Sequence, residues 1–434
     1  MSRALVWVVR FAAGARVRVR HRFPLVLVLV VAGCDALLTS APEAGDVMDG
    51  PIDGLTAVEL AAFAAGDAQF ERRFTATTGL GPIFNNVSCG ACHPGDGRGR
   101  AEPEFFNIVM RVNLAELAVS NPRDEKGRLF EFDAPVLQRR ALPGAEPHPV
   151  PPQTSVSHRL PPPVFGLGLI EAIPDEAILA HADPDDADGD GVSGRPHWVT
   201  PPPWVPSTEP GAGTGAGGSQ ALGRFTRKAR ASTIFEQVTD AYHKDMGITS
   251  EFLAVENVNR MASTPTIAFD RVPDPEVTPE EIQQVVFYLR TLAPPAPGAM
   301  TPRRLEGEAL FGEVGCADCH VPELWTGPHR VAALADRSVA LYSDLLLHDM
   351  GDVLADGVPD ADARAHEWRT APLWGLRVMR DFLDGDGFLL HDGRARSVEE
   401  AILLHGGEAQ RSRDAFAELD PAARAALLDF VESR

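Results

Sequence analysis

Two pentapeptides carry the chain's plainest chemistry, Cys89-Gly90-Ala91-Cys92-His93 and Cys316-Ala317-Asp318-Cys319-His320. In each, two thiols stand three residues apart, close enough on one helical turn to form thioethers with the two vinyl groups of a haem. The histidine directly behind them brings an imidazole nitrogen under the iron. One such match would be a weak signal, but here two matches take four of the five cysteines. A zinc ribbon keeps its cysteine pairs about 15–20 residues apart, and these pairs lie in separate halves of the chain. Neither zinc nor a redox dithiol needs a histidine behind both pairs. The expected cofactors are two haem c groups. Cys89, Cys92, Cys316 and Cys319 are the covalent attachment points, and His93 and His320 the proximal ligands.

A different metal chemistry is written into Asp183-Pro184-Asp185-Asp186-Ala187-Asp188-Gly189-Asp190-Gly191, where five aspartates fall within eight residues. Asp186, Asp188 and Asp190, followed by Gly191, match the first half of a calcium loop with its turning glycine. The twelfth position is His197 rather than glutamate, which excludes a standard EF-hand. Carboxylates this dense repel one another unless a cation sits among them, so Ca2+ is expected there.

The elements that must position the two pentapeptides read as mainly α. Each half ends in a helix with matching start signals, Thr278-Pro279-Glu280-Glu281 and Asp420-Pro421. An N-cap residue followed by proline at the first helical position begins a helix, and the apolar spacing behind each is amphipathic. Phe84 and Phe311 each stand five residues before the first cysteine of their pair. In c-type cytochromes the haem-bearing N-terminal helix packs against a C-terminal helix, and this chain supplies that pair twice. Two cytochrome c-like domains in tandem are expected, 56–297 and 298–434, joined at Pro294-Pro295-Ala296-Pro297-Gly298. The first holds long insertions over 143–222. Its Pro143–Pro163 and Pro201–Gly218 stretches, rich in proline or glycine, read as irregular loops.

The N-terminus bears on location. Six arginines and no acids occupy residues 1–33, with an apolar run from Phe23 to Ala32 ending in Val31-Ala32-Gly33-Cys34. This is a secretory signal, and small residues directly before a cysteine resemble a bacterial lipoprotein box with Cys34 as the lipid attachment point. Residues 34–55 are then a tether, and the protein is expected to be exported, on the periplasmic side, and held to a membrane by lipid. The formal charge is −21, and −27 beyond residue 33 (34 basic residues against 61 acidic). That surface excludes nucleic acid as partner and steers toward a basic or neutral electron donor, a small protein or a quinol-linked one.

The chain resembles the bacterial di-haem oxidoreductase family, thiol oxidoreductase-like, within the wider di-haem cytochrome c peroxidase group. The resemblance runs from about residue 55 to the end and rests on five stretches. They are Phe84-Asn85-Asn86-Val87-Ser88-Cys89, Gly166-Leu167-Gly168-Leu169-Ile170-Glu171-Ala172-Ile173-Pro174, Asp245-Met246-Gly247-Ile248-Thr249-Ser250, Tyr342 through Gly351, and His391-Asp392-Gly393-Arg394-Ala395-Arg396. It implies peroxide reduction at the first haem and electron transfer through the second. The alternatives are an electron-transfer module without turnover, and oxidation of a thiol, an organic substrate or a partner's side chain.

The resemblance also implies roles. His405 stands where the related proteins place the distal ligand of the second haem, with His348, Met350 and His391 as competitors. Glu171, set among Leu169, Ile170, Ala172 and Ile173, is the expected acid–base group for O–O cleavage, with a raised pKa. His158 and Met246 are lesser candidates for a sixth ligand of the first haem. Arg227 departs from the tryptophan expected in that stretch, and Trp374 is either an aromatic group between the haems or a plain core tryptophan, the reading the sequence favours.

Overall fold

The computed structural model describes residues 45, 47–97, 99, 107–111, 136–147, 155–213, 220–259, 262–383 and 387–434. Its helices are α1 (Ala57–Phe70), α2 (Cys89–Cys92), α3 (Leu167–Ala172), α4 (Asp175–Leu179), α5 (Ile234–Asp240), α6 (Pro279–Thr291), α7 (Pro302–Glu313), α8 (Gly351–Leu354), α9 (Leu376–Phe382), α10 (Val398–Leu404), α11 (Gln410–Glu418) and α12 (Pro421–Glu432). The start signals behave as the sequence dictates. Thr278 and Glu281 close a reciprocal capping box on α6, and the Asp420 carboxylate accepts the amides of Ala422 and Ala423 at the start of α12. These caps satisfy amides that have no partner inside the helix.

Helix α1 packs on α6, and α7 packs on α12. Both crossings are closed by a glycine. A Cβ at Gly66 would run into the carbonyl oxygen of Gln284, and one at Gly307 into that of Ala426. Four residues on, on the same helix face, Phe70 meets Tyr288 at a ring separation of 5.5 Å, and Phe311 meets Phe430 at 5.5 Å. The same two phenylalanines touch the motif histidines, Phe70–His93 at 6.3 Å and Phe311–His320 at 6.4 Å. The sequence pairs Phe311 with Phe84, but the structural counterpart is Phe70. An extra segment separates α1 from its cysteines, and Phe84 lies in a short strand instead.

The strands form five two-stranded antiparallel sheets among the described residues. They are β1 (Ile83–Phe84) with β3 (Arg140–Ala141), β2 (Asn107–Arg111) with β4 (Ser155–Arg159), β5 (Trp198–Val199) with β6 (Ala221–Leu222), β7 (Leu324–Trp325) with β8 (Ser338–Val339), and β9 (Leu347–Asp349) with β10 (Glu367–Arg369). Strand β4 corrects the expectation that Pro143–Pro163 is wholly irregular. It starts beyond most of the prolines and gains its order from the ladder with β2, a partner that local composition cannot reveal.

Residues 44–434 form one compact unit rather than separating near 297. The physical reason is a set of buried charges that cross the expected boundary. Arg159 donates to Asp356 at 2.8 Å and Asp360 at 2.9 Å, and the fully buried Lys228 reaches Asp356 at 3.2 Å. Lys228 also lies 4.3 Å above the Trp368 ring, and Arg195 pairs with Glu367 at 2.6 Å. The expected tether is shorter than 34–55. Met48 and Ile52 are buried in the core, and Ile52 and Gly50 exchange backbone hydrogen bonds with Thr291 and Ala293. The signal region, Cys34 and the first part of the tether lie outside the described residues. Among the described residues no helix is long and apolar enough to cross a membrane.

Asp356 answers two buried cations at once, so Asp356→Asn leaves both short of charge. Removing one partner from a buried ion pair costs about 3–5 kcal/mol. Denaturant unfolding of this variant should show a loss of that size, whereas Arg72→Gln, at the half-exposed pair with Glu281, should cost under about 1 kcal/mol.

Candidate functional site

Each pentapeptide is a tight turn that aims its side chains inward. Ser88 caps α2 by accepting the Ala91 amide at 3.1 Å, and the His93 amide returns to Cys89 at 3.0 Å. The second motif turns as a 3-10 helix after Gly315, and the His320 amide closes onto Cys316 at 2.9 Å. Gly315 has φ +84°, a conformation that suits glycine.

Two cavities open over these turns, enclosing about 1240 and 1310 Å³ of empty space including their mouths. The first is lined by Cys89, Cys92 and His93 together with Gln237, Asp245, Met246 and Trp374. The second is lined by Cys316, Cys319 and His320 together with Met350, Trp368, His391 and His405. Arg369, Ala371 and Pro372 line both and so form a shared wall.

The donor sets fit a haem in each. His320 donates its Nδ1 proton to the Tyr342 carbonyl at 2.9 Å, and His405 donates its own to the Ala401 carbonyl at 2.7 Å. A carbonyl only accepts, so both protons sit on Nδ1 and both Nε2 lone pairs remain for a metal. Burial drives His93 and His320 down to about 4, which keeps both imidazoles neutral and ligand-competent at neutral pH. Arg369 is buried at the shared wall, where its hydrogen-bond partners among the described residues are the Thr226 and Thr370 carbonyls. A cation that no carboxylate hydrogen-bonds among the described residues suits the propionates a haem carries.

The competing ligands separate by geometry. His348 lines the second cavity, but Asp344 holds its Nε2 and Glu408 its Nδ1, each at 2.7 Å. Burial alone would lower its pKa; Asp344 and then Glu408 raise it well above the ordinary value, so it is an imidazolium with no lone pair to offer. His391 stacks on Trp368 at 4.6 Å, nearly parallel, and Met350 lines the same cavity. In the first cavity Met246 is buried in the wall, while His158 lies outside the lining on β4. Trp374 lines the first cavity, packed over Gly166 and two residues beyond the shared Pro372.

Glu171 is not where its role requires. Its carboxylate accepts from Arg290 at 2.5 Å and 3.2 Å, His329 approaches to 3.6 Å, and the residue is not part of the first cavity's lining. Burial works against ionisation, but His329 and Arg290 outweigh it and hold the carboxyl below the usual range, opposite to the rise expected from its apolar neighbours. Those neighbours are local in sequence; Arg290 comes from α6, 119 residues away.

The carboxylate that does line the first cavity is Asp245. Its Oδ1 is buried without a hydrogen-bond partner, and burial pushes its pKa up to about 6. It ends the π-helical turn Ala241–Asp245 that continues α5, a deformation often found at functional sites. Gln237, Ala241 and Asp245 fall on one face and all reach the cavity. The sequence carried a signal for it, since Asp245 opens one of the stretches on which the family resemblance rests.

In the acidic loop the clustered trio is Asp183, Asp186 and Asp188, with Asp183 in place of the expected Asp190. Asp190 instead accepts the Val192 amide at 2.8 Å. The other carboxylates are turned onto amides of their own loop, Asp183 onto Ala187 at 2.7 Å and Asp186 onto Gly191 at 3.0 Å. The loop's far end is tied to the second cavity, because Ser193 donates to Glu408 at 2.7 Å.

Two thiol–histidine turns, each facing its own cavity across one shared wall, describe a protein built around two haems. The chain belongs to the family described as "Di-haem oxidoreductase, putative peroxidase", which it matches over residues 30–118 and 153–434. It is therefore an oxidoreductase of di-haem type. Among solved structures it is similar to hydrazine synthase of Kuenenia stuttgartiensis pressurised with 20 bar xenon, at 13% identity, over 97% of this chain and 100% of that one, with a TM-score of 0.38. No curated protein matches the chain.

Glu408 gives a pH test. Burial opposes its ionisation, but His348, the Asp349 amide and Ser193 together hold it down to about 2, from 4.5. A depressed carboxylate contributes stability that is complete above the unfolded value and is lost as pH falls through the folded one. His348, raised above 6.5, contributes fully below that value, so the pair acts at full strength between pH 4.5 and 6.5. On acidification from 4.5 towards 2, the melting temperature of Glu408→Gln should fall less steeply than that of the wild type.

Proposed function

We propose that the protein is an exported c-type cytochrome that reduces hydrogen peroxide, with the first cavity as the peroxide site and the second as the entry point for electrons. The observation that carries this reading is the asymmetry between the cavities. The second offers two imidazoles with free Nε2 atoms, His320 and His405, whereas His93 is the only histidine lining the first among the described residues. A haem with two strong axial ligands transfers electrons, and one with an open position binds a small oxidant.

When bound, haem supplies the iron redox chemistry, and the chain's own groups do the rest. Cys89, Cys92, Cys316 and Cys319 would fix the two groups, and His93 and His320 would each offer one an imidazole nitrogen. Asp245 takes the role the sequence assigned to Glu171. Its Oδ1 can take a proton from one peroxide oxygen and return it to the other, and a pKa near 6 keeps it ionised as a base at neutral pH. The apolar lining, with Phe165, Ile170, Val238 and Leu289, keeps water away from that transfer. Arg369, in the shared wall, would offer its charge to the propionates of either group. The strongly acidic surface favours a basic or neutral donor, and the arginine-rich leader ending at Cys34 supports export and lipid attachment.

Electron paramagnetic resonance titration of the purified holoprotein tests the assignment. The wild type should give one low-spin ferric haem and one haem that is high-spin in the oxidised or half-reduced protein. His405→Ala should convert the low-spin signal alone. Two low-spin haems in every redox state would make the protein a carrier without turnover. Peroxide reduction should rise with pH through about 6, and Asp245→Asn should lower it by about 10²–10⁴-fold and remove that rise. Glu171→Gln should instead lower stability by about 1–3 kcal/mol with the pH profile retained.

A further inference from the structure

A second set of acidic residues lies away from both cavities and from the aspartate-rich loop. Glu256, Asp274 and Glu276 bring one carboxylate oxygen each within 4.8 Å of one another. Two ligands on opposite sides of a calcium ion stand about twice the roughly 2.3–2.6 Å bond apart, so this spacing suits a single ion. Asp274 is exposed at the mouth, Glu276 is half-buried, and Glu256 closes the inner end with only 7% of its surface exposed.

The inner carboxylate is the decisive one. Both oxygens of Glu256 are buried with no hydrogen-bond partner, and Glu276 Oε1 is left in the same state. No lysine or arginine pairs with any of the three among the described residues. The outer oxygens are held by the protein: Thr249 gives its amide to Glu276 Oε2 at 2.9 Å and its hydroxyl to Asp274. The remaining oxygens face inward. The aspartate-rich loop differs here, because its carboxylates are more exposed and accept amides of their own loop.

We propose that Glu256, Asp274 and Glu276 form a calcium-binding site. A buried carboxylate with no hydrogen bond is costly unless a charge meets it. Protonation alone is the other way to remove the repulsion. Burial and the neighbouring acids would then push Glu256 up to about 9 and Glu276 to about 7. A protonated Glu256 would still need an acceptor for its new O–H, and its oxygens have no partner of any kind. A hard divalent cation satisfies all three groups at once and releases the protons.

Occupancy of the site bears on the first cavity through the backbone. The residues on either side of Glu256 both hold His243 in the π turn: Val255 O accepts from His243 Nε2 at 2.7 Å, and Asn257 Nδ2 donates to His243 O at 2.5 Å. Thr249, which binds the outer oxygens and accepts the Glu276 and Val277 amides, stands three residues beyond Met246. The ion would therefore order the segment that carries Asp245 and Met246 into the cavity wall.

The experiment uses holoprotein stripped with a chelator and titrated with CaCl2, following bound calcium by calorimetry and stability by thermal melting. Wild type and Asp186→Asn should both bind one calcium ion at this site and gain several degrees in melting temperature. Glu256→Gln keeps the shape and removes the charge. It should weaken this binding by at least about a hundredfold, show no calcium-dependent gain, and melt no lower than wild type in chelator, because the apo repulsion is relieved. If Glu256→Gln fails to fold, Glu276→Gln makes the same comparison. Calcium binding by the variant with wild-type stoichiometry and affinity would overturn the proposal. So would the absence of any calcium uptake by the wild type at millimolar concentration.

Discussion

A glycine set against a neighbouring helix backbone is the contact on which the rest of the structure depends. Gly66 sits on the Gln284 carbonyl and Gly307 on that of Ala426, and a single methyl at either would force the helices apart. The close crossing brings the phenylalanine one turn later into contact with both the partner helix and the motif histidine. Helix packing and metal-ligand orientation are thus one problem with one solution, used twice. The steric rule is strict because interiors are packed near crystal density and offer no slack to absorb a shift.

What is built on the two frames differs. The second cavity receives an additional imidazole from the end of α10 and a histidine fixed between two carboxylates. The first receives a glutamine, an aspartate and a methionine from one side of a helix that ends in a π turn. The shared wall comes from 369–372, in the C-terminal half of the chain, and Trp374 of the same segment enters the first cavity. The buried ion pairs of Arg159 and Lys228 with Asp356 and Asp360 hold the halves in that relation. Charges removed from water this completely are poor sources of net stability, but they tolerate little displacement. They fix the wall more tightly than apolar contact would.

Several elements were legible before any coordinates. The two pentapeptides, the proline-led starts of α6 and α12 and the mainly helical class all depend on short-range chemistry, in which spacing or a cap decides the outcome within one turn. His405 was singled out by its place in a resembling segment, and the structure sets it in the lining of the second cavity, with a local Nδ1 bond to Ala401. The equation of Phe84 with Phe311 failed because counting back from the cysteines cannot detect an extra segment between helix and motif. Glu171 misled for a related reason: its apolar neighbours in sequence suggested a raised pKa, while its neighbours in space are Arg290 and His329.

The sequence by itself determined which atoms can bond to a haem, where helices begin, and that the chain beyond residue 33 is strongly acidic. These follow from residue identity and from interactions spanning three or four positions. Only the tertiary structure decided which carboxylate faces a cavity, which histidine keeps a lone pair, and which acids crowd into an unpaired cluster. Each of those depends on groups tens to hundreds of residues apart, whose field and solvation exist only once the chain has closed around them.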